Sequence, residues 1–183
     1  MNSMSRYYYK DDCEPCSKDN FDPCKHHYDP YVSKKVCDTI IKCGCPSSTT
    51  IPVIAAATTT RSFTLASLTL DTRHLKHPCI KLEFASNPVA AAAFTGILSF
   101  QVFKQCANQI TPTPIGPVWS FSRTGLIFSE TFSFFVCDCD CSCFNGCCTY
   151  TVVATVASAV TVGTLSINNA LLGAIVTSSD PCC

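Results

Sequence analysis

Charged side chains are scarce in most of this chain of 183 residues. The first 50 residues carry 14 of the 26 Lys, Arg, Asp and Glu residues, so the other 133 carry only 12. A soluble domain usually has about a quarter to a third of its surface charged. A domain so poor in charge is expected to associate with copies of itself. Zero formal net charge also argues against a nucleic acid as partner, because phosphate binding needs a basic surface.

Long apolar segments are also missing. The longest candidate, residues 89–94, is far shorter than the ~20 residues that cross a bilayer, so we expect no membrane insertion. Residues 1–9 lack the apolar core of a secretory signal peptide. We therefore expect synthesis in a cytosol and release by lysis to an oxidising, extracellular setting, where a cysteine-rich product can form disulfides.

Signatures of catalysis are absent as well. The sequence has no Gly-x-Ser-x-Gly elbow and no glycine-rich phosphate loop. His77 lies close to Cys79, but no third residue is evident to orient such a pair for nucleophilic chemistry. We predict that the protein is not an enzyme and that it has no cofactor.

Cysteine is the residue that the chain has in excess, with 16 copies. Six of them fall within residues 137–148, directly after an aromatic, strand-like run at residues 132–136. Alternate side chains of a strand share a face. The alternation places four cysteines on one face and the aspartates between them on the other: Cys137, Cys139, Cys141 and Cys143 against Asp138 and Asp140. Such a row suits a thiolate metal site or a set of disulfides.

Strand spacing disfavours the metal site, which remains an alternative. Alternate residues of a strand lie about 7 Å apart, whereas zinc holds each sulfur at about 2.3 Å. Chelation by Cys137, Cys139, Cys141 and Cys143 would require the segment to curl. The Cys13-x-x-Cys16 pair has no second pair at regular spacing, which favours disulfides there too.

Disulfide cross-links are therefore the preferred use of the cysteines. Neighbours such as Cys147 and Cys148 face opposite ways on a strand, so one of each pair is expected to be free to bond another chain. The candidates lie in the N-terminal segment, in the central cluster and at the C-terminus: Cys13, Cys16, Cys24, Cys37, Cys43, Cys45, Cys137, Cys139, Cys141, Cys143, Cys147, Cys148, Cys182 and Cys183. Their pairing does not follow from the sequence.

Residues 51–180 show the alternation of β-strands, with no convincing helix. About eight or nine short strands separated by turn signals predict an all-β fold, a β-sandwich of jelly-roll type. Turns are expected at residues 86–88 and 124–125, a bulge near Ala66, and a hairpin at Asn145-Gly146 between the two halves of the cysteine cluster.

Two further segments complete the predicted organisation. Residues 1–50 are rich in charge and proline and lack periodicity, so they are predicted to be an extended arm or connector, and residues 181–183 a cysteine-containing tail. Residues 149–162 and 160–179 have neither charge nor proline. If either segment lies at a sheet edge, it would accept a strand from another copy.

Four stretches of the sequence resemble a clostridial family of uncharacterised function: residues 63–72 (FTLASLTLDT), 79–87 (CIKLEFASN), 100–106 (FQVFKQC) and 132–148. That resemblance covers about residues 50–178 and implies no activity. In its layout of arm, β domain and cysteines, the chain is also similar to the jelly-roll subunits of endospore appendages. The second resemblance implies stacking into helical fibres by strand augmentation, with the connector disulfide-bonded to neighbouring subunits.

Together these observations predict a structural subunit of a self-assembling extracellular or spore-surface fibre, cross-linked through its arm. Its main partner would be itself, with related subunits or a spore-surface anchor as further partners. The alternatives are a cysteine-rich metal-binding protein and a spore-coat or outer-layer lattice protein.

Overall fold

The computed structural model describes residues 39–52, 61–75, 77–107, 109–139, 146–156 and 163–178. These residues contain no helix and eight strands: β1 (Thr39–Cys43), β2 (Ser47–Ile51), β3 (Ser62–Asp71), β4 (Pro78–Cys106), β5 (Thr113–Ser129), β6 (Phe132–Asp138), β7 (Cys147–Val156) and β8 (Leu165–Ser178). The predicted all-β fold of jelly-roll type is confirmed.

Strand pairing arranges these strands in two antiparallel layers that share β4. The first half of β4 pairs with β6 and β8, and β1 completes a first sheet in the order β1-β8-β4-β6. The second half of β4 pairs with β5 and β7, and β3 completes a second sheet in the order β5-β4-β7-β3. β2 continues the β1 edge along β8. A single strand of 29 residues therefore runs through both layers.

Alternating apolar residues fill the space between the layers, as the period of two in the sequence predicts. β7 is the clearest case, because every second residue from Cys148 to Val156 is buried. An aromatic cluster occupies the centre: the rings of Phe100 and Phe132 lie 4.6 Å apart, and Trp119 stacks on Phe134 at 5.6 Å. Such pairs add to the stabilisation that burial alone provides.

The turns predicted at residues 86–88 and 124–125 are wrong, because both segments lie inside strands. Residues 86–88 mark the point where β4 leaves the first sheet for the second, and the register with β8 shifts between Ala85 and Asn87. Proline is tolerated at such a bulge, and the carbonyl of Pro88 accepts a hydrogen bond from the Glu130 N–H (3.2 Å). In β5, Gly125 supplies a positive φ of 78° within the strand. The bulge expected near Ala66 is confirmed by a register shift between Thr64 and Ala66.

The predicted hairpin at Asn145-Gly146 is also wrong, because β6 and β7 pair with different halves of β4 and so belong to different sheets. Where the two charge-free segments are described, their strands are β7 and β8, which are interior strands rather than edges. Among the described strands, the outer ones are β1 and β6 in the first sheet and β3 and β5 in the second.

The sheet begins at Thr39 rather than at residue 51. β1 and β2 lie within the segment predicted to be an arm, and both pair with β8. Residues 1–38 of that segment and the tail at 181–183 lie outside the described residues.

Candidate functional site

Two disulfides join directly opposed residues of neighbouring strands. Cys79, near the start of β4, bonds Cys139, one position after β6, with Cα atoms 4.2 Å apart. Cys106, at the end of β4, bonds Cys148 of β7, with Cα atoms 3.9 Å apart. The two ends of β4 are therefore linked to the two halves of the cysteine cluster.

Hydrogen bonding explains why these positions suit a cross-strand bond. Directly opposed residues of an antiparallel ladder lie about 5.5 Å apart when they are hydrogen-bonded and about 4.5 Å apart when they are not. The N–H of Cys106 donates to Gln109 Oε1 (3.0 Å), and its carbonyl accepts from the Gln109 N–H (2.8 Å). Cys106 is thus a non-hydrogen-bonded position relative to β7, where the two side chains approach most closely.

Sequence reasoning missed the partners Cys79 and Cys106, which stand alone in the sequence and outside the cluster. Both cysteines lie at the ends of alternating apolar segments, which could have indicated strand ends. Their bonding partners, however, follow only from the strand order. Cys45 and Cys147 are disulfide-bonded as well. Both members of the Cys147-Cys148 pair are therefore oxidised, contrary to the expectation that one of them stays free.

Of the cysteines in the described ranges, Cys43 and Cys137 are free and exposed. They lie on β1 and β6, the two outer strands of the first sheet, and the registers place them on its outward face. Each lies two residues from an exposed apolar side chain, Ile41 (73% exposed) and Phe135 (57% exposed). The remaining candidates lie outside the described residues: Cys13, Cys16, Cys24, Cys37, Cys141, Cys143, Cys182 and Cys183.

The outward face between these two strands is poor in net charge. Ile175 of β8 lies in the same row as Ile41, and it is 37% exposed. The next strand offers Lys81 and Glu83, which pair with each other at 2.5 Å. The hydrogen bond to Glu83 raises the pKa of Lys81, so this cation stays charged and paired. The outward face of the first sheet is thus mainly apolar, and its two opposite charges, Lys81 and Glu83, pair with each other.

The residue between Cys137 and Cys139 points into the sandwich, as the alternation predicts. Asp138 Oδ2 accepts a hydrogen bond from the Tyr150 hydroxyl (2.7 Å) and lies 2.7 Å from Lys104 Nζ. Tyr150 is fully buried, and burial together with the Asp138 carboxylate raises its pKa far above the ordinary value. This cluster joins β6 to β4 and β7 from the inside, whereas the cysteines face outward.

The alternative metal set, Cys137, Cys139, Cys141 and Cys143, loses one thiolate because Cys139 is oxidised. Within the described ranges, no group of three or more His, Cys, Asp or Glu side chains is placed to hold a metal ion. Cys141 and Cys143 are not among the described residues.

Nothing in the described part of the chain forms a helix with the length and apolarity of a membrane span. No curated protein matches the sequence. Two solved structures are similar in part, both of infectious bursal disease virus. The Gx strain structure matches 84% of this chain and 42% of its own with 10% identity and a TM-score of 0.41. The Gt strain structure matches 86% and 47% with 10% identity and a TM-score of 0.27.

The chain thus spans less than half the length of either viral chain. A family model also covers most of the present sequence. It is described as a domain of unknown function, DUF4489, and it matches residues 37–177. The match includes β1 to β7 in full, all of β8 except its last residue, Ser178, and the whole central cysteine cluster. The chain therefore belongs to the DUF4489 family.

Proposed function

We propose that the chain is a structural subunit that assembles with copies of itself into a disulfide-cross-linked fibre at a spore surface or outside the cell. The observation that supports this most strongly is the division of the cysteines. Cys79–Cys139 and Cys106–Cys148 join strands within the domain, whereas Cys43 and Cys137 are free and exposed. The domain has internal cross-links already, so exposed thiols on its outer strands are available for contacts between copies.

The surface around the thiols supports the same proposal. Exposed apolar residues flank both thiols, and exposed apolar surface marks sites of protein association. The low charge of residues 51–183 provides little like-charge repulsion between copies. Strand augmentation at an outer strand would extend the sheet from one copy to the next.

The N-terminal segment supplies further cysteines for this role. Cys13, Cys16, Cys24 and Cys37 all precede β1, the outer strand that carries Cys43. We propose that this segment bonds to neighbouring subunits, and that related subunits or a spore-surface anchor serve as additional partners. No nucleic acid, cofactor or catalytic role enters the proposal.

Oxidation of the purified full-length chain tests the proposed function. Protein purified with reductant is dialysed against oxidised glutathione and then boiled in detergent with and without reductant. We expect a ladder of covalent oligomers that collapses to monomer with reductant, and fibres in negative-stain micrographs. Protein alkylated with iodoacetamide before dialysis is the control and should give no ladder. Migration as monomer without reductant would contradict the proposal, and flat lattices in the micrographs would favour the outer-layer alternative.

A further inference from the structure

The geometry of the first sheet points to a specific contact between copies, which rests on the proposed function. We infer that the C-terminal end of β1 of one copy pairs antiparallel with the C-terminal end of β6 of the next, and that Cys43 and Cys137 form a disulfide across this junction. The occupant of each edge is thus a second copy of this chain.

The backbone of Cys43 faces away from its sheet. The neighbouring residue, Gly44, donates its N–H to the carbonyl of Leu172 in β8 (2.8 Å). Backbone groups of successive strand residues point to opposite sides. The N–H and C=O of Cys43 are therefore directed outward from β1, where no described strand lies beside it.

The same holds for Cys137 on the other edge. The Glu130 N–H bonds the Pro88 carbonyl (3.2 Å), and the same register continues through β6, where Phe132 opposes Ser86. The backbone N–H and C=O groups of even-numbered residues in β6 therefore point toward β4. Those of Cys137 point away from β4, to the open edge of the sheet. Both free thiols thus lie at positions whose backbone groups are oriented to pair with a new strand.

Because the first sheet has four strands, its two outer strands run in opposite directions, as an antiparallel junction between copies requires. The order β1-β8-β4-β6 is antiparallel at each step, so β1 and β6 run in opposite directions. A copy displaced along the sheet without being turned over therefore presents β1 antiparallel to β6. The outward face stays outward, so Cys43 and Cys137 lie on the same side of the extended sheet.

The two edges are also uncharged on their outward faces. With Cys43 opposite Cys137 in an antiparallel ladder, Ile41 opposes Cys139 and Phe135 opposes Cys45, so each apolar side chain faces a cysteine. Soluble β proteins usually place charged residues or proline on such edges. Here the outward face of each edge carries a hydroxyl, an apolar residue and a thiol in that order along the chain: Thr39, Ile41 and Cys43 on β1, and Ser133, Phe135 and Cys137 on β6. Neither row holds a charge that would repel its counterpart.

The distance between opposed residues suits the bond. Cys43 opposite Cys137 would be a hydrogen-bonded pair, with Cα atoms about 5.5 Å apart, and disulfides span Cα distances of about 4.4–6.8 Å. The chain already uses cross-strand disulfides between directly opposed residues at Cys79–Cys139 and Cys106–Cys148. The junction would also join directly opposed residues, but at a hydrogen-bonded pair, whereas Cys79–Cys139 and Cys106–Cys148 lie at the closer, non-hydrogen-bonded pairs.

Bond formation needs an oxidant, and a small-molecule disulfide such as oxidised glutathione supplies it. The Cys43 thiolate attacks one sulfur of the small disulfide, forms a mixed disulfide and releases one small thiolate. The Cys137 thiolate of the next copy then attacks Cys43 Sγ and releases the second. Two protein thiols are oxidised to one S–S bond, and the small disulfide is reduced to two thiols.

Covalent linkage explains how so small a contact can persist. In this register only Lys42 and Cys43 of β1 oppose strand residues of β6, and so short a contact buries less surface than a stable interface needs. Because each copy uses one edge to bind and offers the other, the contact is head-to-tail and forms an open polymer. Neighbouring strands twist by about 20–25°, so the polymer is helical.

Complementary serine variants test the junction. Cys43→Ser chains labelled with heavy isotopes are mixed with unlabelled Cys137→Ser chains, oxidised with glutathione disulfide, digested with chymotrypsin and analysed by mass spectrometry. We expect a linked peptide that joins heavy Cys137 to light Cys43. Mixing heavy and light Cys43→Ser chains is the control, and it should give no such peptide. Circular dichroism should show the native β spectrum for both variants, because both side chains are exposed.

The outcomes separate this inference from the proposed function. Covalent oligomers that lack the linked Cys43–Cys137 peptide would overturn the junction and leave the proposed function standing. Cys43–Cys43 or Cys137–Cys137 peptides would show a two-fold contact and would also overturn it. An absence of covalent oligomers for the unmodified chain would overturn both.

Discussion

Three consecutive residues, Cys137, Asp138 and Cys139, perform three tasks because a strand turns alternate side chains to opposite faces. Cys137 is a free thiol on the outward face, and Cys139 is bonded to Cys79. Asp138 lies inside, where Lys104 and Tyr150 satisfy it. A buried carboxylate without partners would destabilise the fold, so the inward position of Asp138 depends on Lys104 and Tyr150.

Replacement of Tyr150 by Phe should lower the free energy of unfolding by about 1.5–3 kcal/mol, since it removes a buried hydrogen bond to a charged group. The measurement is urea denaturation of oxidised protein with its free thiols alkylated. Phe135→Leu is a suitable control, because that ring is 57% exposed and lies on the opposite face. Equal midpoints and slopes for Tyr150→Phe and the parent chain would refute the role of this bond.

The same tyrosine should limit stability in alkali. Its pKa is raised in the folded state, so its contribution is complete below the ordinary tyrosine pKa of about 10 and is lost as the pH rises further, when only the unfolded chain releases the proton. Above pH ~10, the parent chain should lose stability more steeply than Tyr150→Phe. Parallel stability profiles for the two proteins from pH 8 to pH 12 would contradict this expectation.

Glycine at position 163 is required by its surroundings as well as by its backbone. Gly163 has a φ of 80°, and an added Cβ would collide with the backbone carbonyl of Ala93. Gly125 has a similar φ of 78°, but an added Cβ there meets nothing within 4 Å. Gly125→Ala should cost about 1–2 kcal/mol from the left-handed backbone alone, and Gly163→Ala should cost more. Thermal melts of both variants test this, and equal losses would exclude the collision as a cause.

At the scale of the element, β4 organises the molecule. Its two halves belong to different sheets, and each of its ends is bonded to a different part of the cysteine cluster. The cluster is therefore not one site but two attachment points at opposite ends of a single strand. Cysteines close together in sequence are thus separated by the strand order.

Removal of the disulfide at the end of β4 should destabilise the domain. The double variant Cys106→Ala, Cys148→Ala should lower the free energy of unfolding by about 2–4 kcal/mol, because it frees a loop with a sequence separation of 42 residues. The control is Cys43→Ala, Cys137→Ala, which also removes two cysteines but should change stability by less than about 0.5 kcal/mol. Denaturation in monomeric, dilute solution compares them. Similar losses in both variants would contradict the assignment of structural and free cysteines.

The sequence predicted the strands better than their connections. The alternation at residues 62–71 predicted β3 and its bulge, because the switch of apolar residues from one face to the other is visible within a single segment. The turns predicted at residues 86–88 and 124–125 do not form, because Pro88 and Gly125 are accommodated at irregular positions inside long strands. Which strands are edges could not be predicted, because that depends on pairing between residues far apart in the chain. The free thiols could not be told from the oxidised ones for the same reason.

At the scale of the whole molecule, the apolar edges should control assembly. Ile41→Lys places a charge on an edge and should reduce the yield of covalent oligomers severalfold, while the free energy of unfolding stays within about 0.5 kcal/mol of the parent. Ile110→Lys is the matched control, because Ile110 is 95% exposed and lies between β4 and β5 rather than on an edge of the first sheet. The yield is read from non-reducing gels. A comparable reduction by Ile110→Lys would show that charge alone, and not its place, governs assembly.

The disulfide between Cys79 and Cys139 would also determine how far such a fibre can be stretched. Under tension, force would enter a copy at Cys43 and leave at Cys137, and a covalent route between them crosses from Cys79 to Cys139. That bond bypasses a sequence separation of 60 residues, which when fully extended would measure about 200 Å. With the bond intact, this segment could not extend under tension even if the strands separated. Selective reduction of Cys79–Cys139 would make every copy extensible without breaking the links between subunits.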